Sequence, residues 1–205
     1  MKMHVCVAAA LLFPAAAFAD LIPSANVDAF YTAKSDVKDP GGNSSGGKGF
    51  GVRGRVDVPV VFLQGEYDHD KYDSVGGSAT DVKLDLTRLG VGMNIGPTPL
   101  YGLVEYLHDK VDGGGSSTTD NGYGLHVGIK GTPTPIISLY GQLGYVKLGD
   151  SSTGLGKGPE YNVGAVFSIM PLVGLFADAR RDDLKQSGVK TTITDYRIGV
   201  RVSIP

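Results

Sequence analysis

The chain has 205 residues, a formal net charge of −2, 31 glycines and a single cysteine. Near-neutral charge gives no basic face for a nucleic-acid partner. One cysteine excludes an internal disulfide, and no stretch approaches the roughly 18 consecutive apolar residues of a transmembrane helix.

The N-terminus combines Lys2, an apolar run from Val5 to Phe13 interrupted at Pro14, and the small-x-small site Ala17-Phe18-Ala19. This predicts a secretory signal peptide over 1–19, cleaved near Ala19. Cys6 lies inside that apolar run, so the expected mature chain, 20–205, carries no thiol and no lipoprotein signal.

Beyond it the sequence alternates with period two, as strands require. Strand 1, over 26–34, sets Val27, Ala29, Tyr31 and Ala33 against Asp28, Phe30, Thr32 and Lys34. Strand 2, over 48–58, opposes Phe50, Val52, Val56 and Val58 to Arg53, Arg55 and Asp57. Strand 3, over 60–69, places Glu66 on the polar face and Leu63 and Tyr67 on the apolar one. In strand 4, over 82–95, Leu84 and Leu86 share one parity while Leu89, Val91 and Met93 share the other. That change of phase predicts a bulge near Thr87-Arg88. Strand 5, over 100–109, puts Glu105 inward with Gly102, Val104 and Tyr106 outward; strand 6 carries His126 on its polar face. Strands 7, 8 and 9 follow over 137–145, 160–169 and 173–180, with Glu160, Asp178 and Arg180 on polar faces. The last strand, over 192–204, opposes Tyr196, Ile198, Val200, Val202 and Ile204 to Asp195, Arg197, Gly199, Arg201 and Ser203.

The connections alternate in kind. Short proline-containing turns fall at Pro59, 96–99, 132–135 and 170–171, and longer polar Gly/Ser/Asp segments fall at 36–47, 70–81, 110–121, 149–157 and 182–190. Alternating short turns and long loops, with both termini at one end, are the requirement of an up-and-down membrane barrel. The fold expected is all-β: an antiparallel transmembrane up-and-down barrel of ten strands in one domain, with eight strands as the alternative count. Tyrosines near strand ends (Tyr67, Tyr101, Tyr123, Tyr145, Tyr161, Tyr196) suit an interfacial girdle on a lipid-facing apolar side.

The polar face then lines the lumen. An ionic network is expected from Asp28, Arg53, Arg55, Asp57, Glu66, Glu105, His126, Glu160, Asp178, Arg180, Asp195, Arg197 and Arg201, joined by Lys34, Asp85 and Lys130. Arginine suits it because its planar fork binds carboxylates in pairs. Asp28 of strand 1 and Asp178 of strand 9 are candidate partners for the two closing-strand arginines, Arg197 and Arg201. His126 reads as a member of this network and not as a metal ligand, since no second histidine joins it.

The closing pattern Arg197, Gly199, Val202, Ile204 resembles the C-terminal assembly signal of bacterial outer-membrane β-barrels, departing from it where Pro205 replaces the usual terminal aromatic. With the signal peptide and the alternating strands, the chain resembles the small outer-membrane β-barrel superfamily that includes OmpA-like and opacity-like proteins. Residues 158–182 are most similar to YfaZ-like proteins. The resemblance implies the outer membrane of a Gram-negative cell, contact with outer-membrane lipid and lipopolysaccharide, passage through the barrel assembly machinery, and no assigned chemistry.

Catalysis is weighed and set aside. Omptin-like proteases of this architecture use acidic residues and an Asp-x-His pair; Asp68-His69-Asp70 and His108-Asp109 are the only comparable rim residues, at a spacing that does not match. Adjacent strand residues face opposite ways, so His108 and Asp109 make no dyad. Lipid A deacylases need His-x-Ser, which is absent. No catalytic residue, cofactor or metal is therefore expected. The leading reading is a barrel with a plugged ionic lumen and a structural or surface-interaction role through five extracellular loops. A small porin-like channel is the alternative, and a protease or lipid-modifying enzyme is less favoured.

Overall fold

The computed structural model describes residues 24–38, 44–73, 81–149 and 155–204. The expected signal peptide lies outside them. Ten strands follow in order: β1 (Ser24–Lys38), β2 (Ser44–Asp57), β3 (Val61–Tyr72), β4 (Val82–Asn94), β5 (Leu100–Gly113), β6 (Ser116–Thr134), β7 (Ile137–Leu148), β8 (Gly156–Met170), β9 (Val173–Gln186) and β10 (Val189–Ile204). Each pairs antiparallel with the next, and β1 pairs β10 from Ala25↔Ile204 to Lys38↔Thr192, so the sheet closes into a ten-stranded barrel without an edge.

The short connections close tightly at one end. Between β4 and β5 the Ile95 amide donates to the Leu100 carbonyl at 2.9 Å, and Thr98 Oγ1 donates to the Ile95 carbonyl at 2.5 Å. The other end departs from expectation. Two of the five predicted loops are mostly strand: β5 and β6 continue to Gly113 and Ser116 around Gly114 and Gly115, whose φ values are 61° and 79°. β9 and β10 continue to Gln186 and Val189 around Ser187 (φ 48°) and Gly188 (φ 85°). Two successive positive-φ residues match the twist of the flanking strands, so the hairpins extend without apolar side chains to bury. The other predicted loops also shrink, since β1 reaches Lys38, β2 begins at Ser44, β3 reaches Tyr72 and β8 begins at Gly156.

Two sequence expectations about register are corrected. β4 carries no bulge; its pairing with β3 and β5 is unbroken, including Glu66↔Arg88 and Tyr67↔Thr87. Leu86 instead packs inward among apolar side chains at the loop end, and Asp85 lies outside, accepting from the Tyr67 hydroxyl at 2.8 Å and lying 2.5 Å from His69 Nδ1. Besides register shifts near the turn end at Gly131/Thr134 and Ser168/Met170, one does occur in β1, between Thr32 and Lys34. The extra residue turns Lys34 outward, 2.7 Å from Asp36, and returns Ser35 to the interior.

The apolar parity faces out. Val52, Leu125, Val163 and Val200 are exposed, whereas Glu160, Arg88 and Arg197 are 1–2% exposed inside. A barrel in water would reverse this distribution. Tyr31, Tyr67, Tyr106, Tyr123, Tyr145, Tyr161 and Tyr196 face outward, with Tyr106 directly opposite Tyr123. Tyr101 leaves that set: it is buried in the lumen, edge-on to Phe62 with ring centroids 5.6 Å apart.

Candidate functional site: the ionic lumen

The interior is layered along its axis, because inward positions on adjacent strands lie at matched heights. From turn end to loop end, β10 points Ser203, Arg201, Arg197, Asp195 and Ile193 inward, and β9 points Phe176, Asp178, Arg180, Asp182 and Leu184. Charges therefore fill the middle and aliphatic groups the loop end.

Near the turns, Arg55 donates to both Asp57 oxygens at 2.8 and 2.7 Å and stacks over the Phe62 ring, 3.5 Å from its centroid. Lys130 adds a third bond to Asp57 at 3.1 Å. Deeper, Asp28 accepts from Arg201 at 2.7 and 2.8 Å and from Arg53 Nε at 2.8 Å. Arg53 also reaches Asp178 at 3.3 Å, and Arg197 Nε donates to Asp178 at 2.6 Å. Tyr140 completes that carboxylate at 2.7 Å. Glu66 gathers Arg180, Arg197 at 3.2 Å and Arg53 at 3.7 Å. Across the lumen, Arg88 bridges Glu105 at 3.2 Å and Glu160, while His126 Nε2 lies 3.0 Å from Glu105.

Room for that histidine comes from two glycines. A Cβ at Gly124 or Gly144 would collide with the His126 ring from either side. Small residues beside large inward ones are how a narrow barrel fills its taper.

Above this lattice the interior turns acidic. Asp68, Asp70, Asp182 and Asp195 are buried around a void of about 20 Å³, and Ser35 donates to Asp195 at 2.5 Å with its hydroxyl 2.9 Å from that of Tyr72. Leu107, Val146, Leu148, Leu184 and Ile193 then form an apolar cluster toward the loops. On the opposite side, a cavity of about 1090 Å³ runs from turn residues such as Pro97 and Pro133 up to Arg53 and Arg88.

The structure thus brings Asp28, Arg53, Glu66, Asp178, Arg180, Arg197 and Arg201 into one lattice, Glu105, His126 and Glu160 around Arg88, and Arg55 with Asp57 into a pair near the turns. Asp195 lies above them, with Ser35. Lys34 and Asp85 are outside. Sequence reasoning misses Arg88, whose signal is its parity with Leu84 and Leu86, and the inward Asp70 and Asp182, which fall in the polar segments 70–81 and 182–190 that read as loops.

The rim residues weighed for catalysis do not converge. Asp68 and Asp70 face in, His69 faces out toward Asp85, and His108 faces out with Nδ1 2.8 Å from Asn121 while Asp109 is buried inside. Among the described residues no cluster of His, Cys, Asp or Glu could hold a metal. Beyond the tyrosines, on the β5–β6 hairpin, the hydrogen bond from Lys110 holds the Asp112 carboxyl below its ordinary value.

A closed antiparallel sheet with an aliphatic outer wall, an aromatic band and an ion-paired interior defines a transmembrane β-barrel. Residues 5–168 match the family described as the outer membrane protein beta-barrel domain, and the chain belongs to that family. The protein resides in the Gram-negative outer membrane. Among solved structures, it is similar to Neisserial surface protein A (16% identity, TM-score 0.45, 88% of this chain and 96% of that one). It is similar also to Ail, the attachment invasion locus protein of Yersinia pestis (17%, 0.40, 87% and 97%), and to outer membrane protease OmpT from Escherichia coli (10%, 0.48, 88% and 97%). No curated protein matches the sequence.

Proposed function

We propose that this protein is an integral outer-membrane barrel whose lumen is plugged by its own ion pairs and whose loop end faces outward for a structural or surface-interaction role. The observation that carries this reading is the lattice at mid-height, where Arg88, Arg197, His126 and Glu160 are at most 2% exposed although they point into the lumen. Eight strands leave an interior just wide enough for side chains, and aqueous channels belong to barrels of about sixteen strands. Ten lies near the filled limit. In this reading outer-membrane lipid and lipopolysaccharide surround the wall, and Arg197, Gly199, Val202 and Ile204 present the closing strand to the assembly machinery. No catalysis is assigned.

A small porin-like channel is the second reading, favoured by the cavity of about 1090 Å³ at the turn end. Single-channel recording in planar bilayers separates the two. The plugged barrel gives no steady conductance. A steady porin-sized conductance in the wild-type protein would refute the plug and establish the channel.

A further inference from the structure

The cavity of about 1090 Å³ at the turn end is close to balanced in charge. Six cationic side chains share its lining with four carboxylates, and Asp178 and Glu160 answer two of the arginines from outside it. Hydrogen bonding there is not balanced. Both oxygens of Asp28, Asp57 and Glu105 already accept from neighbouring side chains. Glu66 Oε2, Asn94 Oδ1 and Asn162 Oδ1 lack donors, but these atoms are sealed from the open space.

Donors, by contrast, are left over. Arg55 and Arg201 hold Asp57 and Asp28 side-on, each through Nε and Nη2. That geometry turns the Nη1 edge of each guanidinium away from its carboxylate, and among the described residues nothing accepts from it. Asn26 lies on β1 between them, opposite Arg55 on β2 and opposite Ser203 on β10. Its Oδ1 accepts from Ser203 at 2.8 Å, which commits the oxygen and leaves the amide nitrogen. Arg201 is the next inward residue of β10. Three donor groups thus follow one another across β2, β1 and β10, spanning two strand spacings, about 10 Å. A guanidinium has no acceptor, so whatever meets these edges must accept.

The strip is both fixed and reachable. Phe62 lies under the Arg55 guanidinium and sets its plane. The Arg55 and Arg201 side chains are 16% and 21% exposed, against 2% for Arg88 at the blind end. Lys130, near the mouth, gives one bond to Asp57 and is 38% exposed. Pockets for small ligands run to about 300–1,000 Å³, so the space suffices.

We infer that the turn-end cavity is a binding site for a small anion carrying two or more carboxylate or phosphate groups, seated along Arg55, Asn26 and Arg201. Acidic oxygens supply the acceptors that the wall lacks, in charge-assisted hydrogen bonds. The site lies beneath the plug and adds to that reading: the ligand enters and leaves between the turns. That the ligand is periplasmic rests on the loop end facing outward; binding itself does not.

The test uses the mature barrel in nanodiscs of zwitterionic lipid at fixed ionic strength, titrated calorimetrically with citrate, inorganic pyrophosphate, sorbitol or spermidine. Citrate or pyrophosphate should bind with a sub-millimolar dissociation constant, and the tighter of the two identifies the acidic group. R55Q/R201Q should bind at least tenfold more weakly. S138W should do the same by filling the cavity, at a site whose hydroxyl meets only Thr132 and no ion pair. K34Q, on the outer wall, should bind as the wild type does. Sorbitol or spermidine binding as tightly as either anion, wild-type affinity in either cavity variant, or no binding of either anion would overturn the site. Bilayer recording on the same protein reads the plug alone: a steady conductance with anion binding intact refutes the plug and leaves the site standing.

Discussion

Arg197 donates to Asp178 at 2.6 Å, reaches Glu66 at 3.2 Å, and lies with its guanidinium 5.1 Å from the Phe30 ring centroid. It is 1% exposed, and its partners Glu66 and Asp178 are buried with it. Removing one member of such a set leaves carboxylates desolvated without a counter-charge, the costly case for buried ions. Arg197→Leu should therefore destabilise the barrel by about 3–5 kcal/mol, read from urea unfolding in lipid. Arg181, on the same sheet but facing out, pairs with Asp183 at 3.0 Å with a side chain 53% exposed. Arg181→Leu should change stability by less than about 1 kcal/mol, as exposed pairs do. Equal losses in the two variants would show that water threads the lattice and screens it.

At the scale of the strand, β10 states the design most plainly. Tyr196, Ile198, Val200, Val202 and Ile204 face lipid while Asp195, Arg197 and Arg201 face the lumen. Val200 sits between the tyrosine level and the turn end, so Val200→Arg should cost about 2–4 kcal/mol if it reaches the bilayer midplane. A variant that assembles with wild-type stability would mean the apolar face is not in contact with lipid. The same contrast of faces explains what could be read without coordinates. β8, β9 and β10 were legible because lipid lies on one side and ions on the other, so alternation survives throughout their apolar length. It fails where both sides share a character. At the loop end Leu84 and Leu86 point into an apolar interior, mimicking a change of phase and hiding Arg88. Past the membrane Lys110, Asp112 and Thr119 alternate with nothing to bury, so paired strands looked like loops. Ala33, small and featureless, gave no sign of the bulge that turns Lys34 outward. Hydrogen-bonded pairing needs no hydrophobic pattern, and pattern was the only available signal.

For the whole molecule, closure without an edge makes unfolding all-or-none along the sheet. The barrel should stay folded in sodium dodecyl sulfate until heated, and boiled and unboiled samples should migrate differently on electrophoresis. Identical migration would mean the pairing of β1 with β10 is not maintained in detergent. That pairing is also fastened in the lumen, where Arg201 grips both oxygens of Asp28, 173 residues away in sequence. Contacts this remote form late, because the loop they close is nearly the entire chain. The clasp therefore acts as a completeness check. A polypeptide lacking β10 leaves two open edges and an Asp28 carboxylate held by Arg53 alone, and should find no stable resting state in the bilayer. Only a chain delivered to its last strand can be retained, which ties the survival of the protein to the finish of its own translocation.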